Sequence, residues 1–238
     1  MKKEFSYAVF FSVLLFASCI DMGDRIKGNG NIRNENRTVS QAEKIKVAGD
    51  MDVYIDQGPA SARVEGDDNI LQYIETVANG DWYEIRTKDD VNISTDKPVK
   101  VYITTPNLTA LKLTGSGNII CKPKFSTENN TSFDITGSGD ITTAINAPKV
   151  EAHISGSGDL HISGETKSLE IHVSGSGNYD GPDLKAEDVN VSIAGSGNAD
   201  LFADSKLKAS IAGSGDVKYK GNATVDSHIA GSGSVKKD

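Results

Sequence analysis

Two carboxylates stand at matching places in a repeated pattern, close enough in that pattern to act together. Asp140 and Asp159 each directly follow a Gly-Ser-Gly tripeptide. If successive copies stack as strands do, ~4.8 Å apart, the two carboxyls come within about 5 Å, the separation found in retaining glycosidases. The full column, however, reads Asn118, Asp140, Asp159, Asn178, Asn198, Asp216 and Ser234. Hydrogen bonding within a turn, which carboxylate, amide and hydroxyl all perform, covers all seven. The five arginines, Arg25, Arg33, Arg37, Arg63 and Arg86, all precede the first tripeptide, so a lyase-type site in the repeats has no guanidinium to use.

Metal chemistry meets a similar test. His153 and His172 share an outward column on neighbouring copies, with His161 on the strand between, and two stacked imidazoles can hold Zn²⁺ or Cu²⁺. No carboxylate or thiol recurs beside them at ligand spacing, which reads as solvated surface histidines. Calcium-binding solenoids repeat Gly-Gly-x-Gly-x-Asp; here three of the seven copies carry the Asp, and the second Asp position is absent. No Ser, His and Asp arrangement, Walker-type loop or paired-cysteine motif is present. Gly-Ser-Gly is not a phosphate cradle either, because that chemistry needs a helix N-terminus or a following Lys, and each tripeptide here leads into a strand. No cofactor or metal is expected.

The elements that must position these residues are written in the repeat itself. Gly-Ser-Gly begins at Gly115, Gly137, Gly156, Gly175, Gly195, Gly213 and Gly231, at intervals of 22, 19, 19, 20, 18 and 18 residues. Two residues before each copy stand Leu113, Ile135, Ile154, Val173, Ile193, Ile211 and Ile229, an aliphatic column expected to point inward. The residue before that is always polar, and the one before it mostly apolar, which is the alternation of a half-buried strand. After the Asn/Asp column the apolar series Ile119, Ile141, Leu160, Tyr179, Ala199, Val217 and Val235 starts a second strand. Such a unit buries its apolar face only by stacking on copies of itself. The fold class expected is therefore all-β: a right-handed parallel β-helix or β-solenoid with Gly-Ser-Gly corners. Glycine suits the corner because it takes φ > 0 at little cost.

Lys2 and Lys3 precede an apolar run from Phe5 to Ala17, short of the roughly 20 residues a spanning helix needs. That is a signal peptide, residues 1–18. Its end, Phe16-Ala17-Ser18-Cys19, resembles the bacterial lipobox, with Phe16 where Leu is usual, which makes Cys19 the lipidated N-terminus of the mature chain. Asp21 and Asp24 resemble the acidic signal that sends Bacteroidetes lipoproteins to the outer face of the outer membrane. Residues 19–27 read as a tether and 28–238 as one domain. Cleavage removes two lysines and one glutamate, taking the formal charge from −8 to −9. Such acidity argues against nucleic acid and anionic lipid as partners. Cys121 has no cysteine to pair with once Cys19 is lipidated, and its place two residues after Ile119 marks a buried, inert thiol.

From Asn31 to Thr109 the chain is less regular but strand-like throughout. Lys44–Val47 and Asp52–Asp56 alternate about Gly49, Ala62–Glu65 follows the Gly58-Pro59 turn, and Asp67–Leu71 suits one helical turn. Tyr73–Ala78 and Trp82–Thr87 flank Asn79-Gly80 as a hairpin, and Val99–Thr104 leads into the repeats. Gly-Asn-Gly-Asn at Gly28–Asn31, VAGDMDVYIDQG at Val47–Gly58, Asn69-Ile70-Leu71 before the Asn79-Gly80 hairpin, and the Gly-Ser-Gly-(Asn/Asp) repeats together resemble a bacterial family. It is the auto-transporter adhesin head domain, or GIN domain. The resemblance covers nearly the whole mature chain and implies a β-helical cell-envelope protein, often a lipoprotein in Bacteroidetes, with no catalytic residues to carry over.

Two classes of function are weighed. One is a lipid-anchored surface or periplasmic binding or structural module without catalysis, holding a glycan or a protein, or self-associating through its solenoid ends. The other is a β-helical enzyme acting on polysaccharide. Sugars stack on flat apolar faces, and most Tyr and Trp residues of the mature chain precede the first Gly-Ser-Gly. Trp82 and Tyr83 face opposite sides of one strand, so one is core and the other a candidate ligand platform.

Overall fold

The computed structural model describes residues 25–39 and 42–238, and strands dominate it. Nine precede the corner of the first repeat: β1 (Arg25–Lys27), β2 (Ile32–Arg37), β3 (Lys44–Ala48), β4 (Asp52–Gln57), β5 (Ser61–Asp67), β6 (Ile74–Asn79), β7 (Trp82–Thr87), β8 (Asn92–Ser94) and β9 (Lys100–Thr105). The repeats supply β10 (Ala110–Gly115), β11 (Asn118–Ser126), β12 (Thr131–Gly137), β13 (Asp140–Gly156), β14 (Leu160–Gly175), β15 (Tyr179–Gly195), β16 (Ala199–Phe202), β17 (Lys206–Gly213), β18 (Asp216–Lys220), β19 (Thr224–Gly231) and β20 (Ser234–Lys237).

The repeats form a β-solenoid. Strands entering a corner stack in parallel, with Gly115 opposite Gly137, Gly137 opposite Gly156, Gly156 opposite Gly175, and so on to Gly231. Strands leaving it stack likewise, from β4 and β11 to β18 and β20. The aliphatic columns close against one another between these two walls. Leu113, Ile135, Ile154, Val173, Ile193 and Ile211 are each at most 2% exposed, whereas Ile229 is 38% exposed, because no further coil covers it among the described residues.

The two glycines of each tripeptide answer different constraints. The first takes positive φ, 121° at Gly115 and 142° at Gly231. The second does not, but a Cβ on Gly139 would overlap the Gly117 carbonyl oxygen of the preceding coil and come 2.9 Å from Leu113 Cδ2. Turn conformation explains only the first glycine, then; the second is required by the closeness of the coils. The carbonyl of the first glycine accepts both following N–H groups of the next copy, Ser138 N and Gly139 N donating to Gly115 O at 2.9 and 3.1 Å.

The N-terminal half is part of the same stack, wound out of chain order. β3 and β4 turn about Gly49 and form a coil directly under β10 and β11. On their other side lie β7 and β9, which come later in the sequence. The chain thus enters at the second coil, goes back to build the first, and crosses over to continue. The end is closed by antiparallel strands: β6 on β7 across the Asn79-Gly80 turn, β5 on β9, and β2 on β5. A 3₁₀ turn at Leu71–Tyr73 replaces the expected turn at Asp67–Leu71.

Arg25–Lys27, the end of the segment read as a tether, pairs in parallel with β8. The Gly-Asn-Gly-Asn stretch that follows is held by Asp67–Asn69. Gly30 N donates to Asp67 Oδ1 at 2.6 Å, Asn29 Nδ2 to Asp68 Oδ1 at 2.6 Å, and Asn69 Nδ2 to Lys27 O at 2.8 Å. Gly28 has no room for a side chain there, since a Cβ would overlap the Asp67 carboxylate.

Candidate functional site

The carboxylates that could have formed a catalytic pair bind the coils to each other instead. Asp159 N donates to Asp140 Oδ1 at 2.9 Å, and Asn178 donates to Asp159 Oδ1 from both its backbone N and its Nδ2, each at 2.9 Å. The ladder continues through Asn198 N to Asn178 Oδ1, Asp216 N to Asn198 Oδ1 and Ser234 Oγ to Asp216 Oδ1. The Ser234 hydroxyl holds the Asp216 carboxyl below its ordinary range. Carboxylate and amide oxygens thus serve one after another as acceptors that tie each coil to the next.

His153 and His172 stack face to face, ring centroids 5.0 Å apart and 3° from parallel. Glu170 Oε1 lies 3.0 Å from His172 Nε2. Glu170 is two residues away along the strand, and alternation puts both side chains on the outer face. It is also engaged by Lys149 at 2.9 Å, whose ammonium, with the His172 contact, lowers its carboxyl. His161 Nδ1 lies 2.9 Å from Asp180 Oδ2. Among the described residues no group of three His, Cys, Asp or Glu side chains is placed to hold a metal ion.

Tyr83 is the core member of the aromatic pair, 1% exposed, which removes it as a ligand platform; Trp82 is only partly buried. Beside them Glu84 accepts from Lys46 Nζ at 2.6 Å and from Asn79 Nδ2 at 3.2 Å, and these donors hold its carboxyl below the usual range. A second aromatic surface, Tyr54 stacked on Tyr102 at 5.3 Å, has Arg63 over one ring at 4.1 Å and Lys122 over the other at 5.7 Å. Cys121 is buried, and burial pushes its thiol up to about 12. Cys19 lies outside the described residues.

A concavity of about 760 Å³ is a furrow along the corner opposite Gly-Ser-Gly. Its floor is a column of small residues, Thr127, Ala147, Thr166 and Ala186, with Ala147, Thr166 and Ala186 at 8, 7 and 2% exposure. Side chains on either side of that column alternate outward and form the walls. Asn146, Glu165 and Lys185 stand in register on one wall, and Lys185 Nζ sits 4.0 Å over the Phe202 ring. Glu128, Pro148, Lys167, Glu187 and Asp204 line the other. Alignment on the preceding tripeptide hides this column, because coil lengths differ. Counted back from the following one, a Thr or Ala recurs nine or ten residues upstream: Thr127, Ala147, Thr166, Ala186 and Ala203.

These features define a β-solenoid whose Asn/Asp column serves its own stacking and whose flank carries a furrow lined by side chains. The chain belongs to the family described as "Putative auto-transporter adhesin, head GIN domain", whose model matches residues 42–223. Its fold is that of a putative adhesin from Bacteroides fragilis, at a TM-score of 0.84 and 22% identity over 90% of this chain and 100% of that one. A putative lipid binding protein from Parabacteroides distasonis aligns at 0.75 and 24% identity, with the same coverage. A putative adhesin from Parabacteroides merdae aligns at 0.70 and 20%, over 90% of this chain and 99% of that one. No curated protein matches the chain.

Proposed function

We propose that this is a lipid-anchored protein of the bacterial outer membrane, periplasmic or surface-exposed, that binds without catalysis. The observation that carries the non-catalytic reading is the Asn/Asp ladder. Asp140 and Asp159, the pair that stacking brings together, each aim an oxygen at a backbone N–H of the next coil, so they do not stand as a free acid and base. Membership of an adhesin family supports the envelope location. The signal-like run ending at Cys19 supports the anchor.

The ligand is a glycan or a protein, met by the furrow or by the Trp82 edge of the β6–β7 hairpin. A second copy of the chain is a further partner, at the open end of the solenoid. There β19 is exposed along its length, Val225 and Ile229 are 36 and 38% exposed, and an unpaired strand edge can accept another strand. The test is an array of glycans and matrix proteins probed with the full chain, with reducing-end release assayed on every ligand that binds. Binding without release is expected; release of reducing ends refutes the reading.

A further inference from the structure

We infer that the furrow opposite the Gly-Ser-Gly corners binds a linear glycan, neutral or carrying amino sugars, laid along the solenoid axis at one sugar per coil. The inference rests on the reading of the protein as a binding module and adds the chemistry and place of its ligand.

The direction of the backbone hydrogen bonds excludes a peptide strand. In the inner coils N–H and C=O groups point along the axis and are taken by the coils above and below. The flank of the solenoid therefore offers side chains only, whereas strand addition needs an open edge. Spacing points the same way. Coils repeat every ~4.8 Å, while same-face residues of an extended peptide repeat at about 6.6 Å and drift out of phase within two coils. A β-1,4-linked pyranose chain advances by about one coil spacing per sugar, with successive sugars turned over, so a given face returns every second coil and the chain stays in phase along the furrow.

The lining supplies what such a chain needs. Glu128, Glu165, Lys167 and Glu187 form no ion pair among the described residues, which leaves their donors and acceptors for hydroxyl and amide groups. Phe202 ends one wall, partly buried with the Lys185 ammonium over its ring, so that an apolar edge and a donor stand side by side. Carboxylates outnumber ammonium groups in the furrow and the chain as a whole is acidic, so polyanionic glycans are repelled.

The experiment is calorimetric titration of the full chain with cellohexaose, chitohexaose and hexagalacturonate, each also as shorter oligomers. Cellohexaose or chitohexaose is expected to bind, with affinity rising up to about four or five units, one per coil, and then levelling off. Hexagalacturonate is expected not to bind. Glu165→Ala, at an exposed position, and Phe202→Ala should each weaken binding about tenfold or more with thermal unfolding unchanged for the first, while Lys208→Ala on β17 should change nothing. Full affinity in both furrow variants, preference for hexagalacturonate, or no binding of the three glycans overturns the furrow assignment. Binding that survives both furrow variants does so while leaving the binding-module reading intact. Release of reducing ends overturns the non-catalytic reading and leaves the furrow in place.

Discussion

At the scale of single residues, position in the stack decides what a substitution costs. Ile154 is 1% exposed with a coil on each side, whereas Ile229 holds the same place in the last coil and is 38% exposed. A carboxylate at position 154 has neither water nor a partner, so Ile154→Asp is expected to cost several kcal/mol, about 3–5, while Ile229→Asp and the outward His153→Asp cost about 1 or less. Chemical denaturation of the three variants measures this, and equal losses for Ile154→Asp and His153→Asp would show the register to be wrong. Cys121 obeys the same rule. With its thiol pushed up to about 12 by burial, it should resist alkylation at pH 8 in the native protein and react promptly in denaturant. These assignments were legible in the sequence because alternation and a repeated landmark fix which side chains face inward. That Ile229 is uncovered was not, since a column of like residues does not say where the stacking stops.

At the scale of elements, the corner and the first hairpin carry the predictions. The second glycine of each tripeptide is held by backbone proximity, so Gly139→Ala must force the coils apart at Gly117 O, where Ser138→Ala removes only an exposed hydroxyl. The first change is expected to cost about 2 kcal/mol or more and the second under about 0.5, read from unfolding midpoints. In the hairpin, Glu84 ties β7 to β3 through Lys46 and to β6 through Asn79. Its folded-state pKa is depressed, so its contribution is present above the unfolded value and is lost as pH falls through the folded one. Glu84→Gln should therefore be less stable than wild type at pH 7 by about 1–2 kcal/mol, the scale of a charged hydrogen bond, and the gap should close on acidification. A gap independent of pH would assign the loss to packing. Each of these strands could be read from the sequence. The neighbours of β3 and β4 could not, because alternation identifies a strand without naming its partner, and here the coil built third along the chain lies next to the one built first. The furrow escaped for a related reason: its floor keeps register only with the following corner, and neither wall keeps one residue type from coil to coil.

At the scale of the whole molecule, the stack has, among the described residues, a closed end and an open one, and Arg25–Lys27 lie at the closed end. β1 pairs with β8, which leads into β9 of the first coil, and Asp67–Asn69 clasp Gly28–Asn31 against the antiparallel strands there. Cys19 is six residues before Arg25, so even a fully extended link spans no more than about 20 Å. An acyl chain on Cys19 would therefore hold the closed end at the membrane surface and leave the furrow and the open end beyond it. One acyl chain alone binds reversibly, and stable attachment needs the multiple chains of a processed lipoprotein, which makes the modification itself the decisive observation. Metabolic labelling with an alkyne palmitate analogue should mark the wild-type chain and leave Cys19→Ala unmarked, with the variant shifting from the membrane to the soluble fraction. Cys121 is an internal control, since its buried thiol stays unacylated in both. Equal labelling of the two proteins would mean that the chain is not held through Cys19, and the orientation argued from the short link would fall with it.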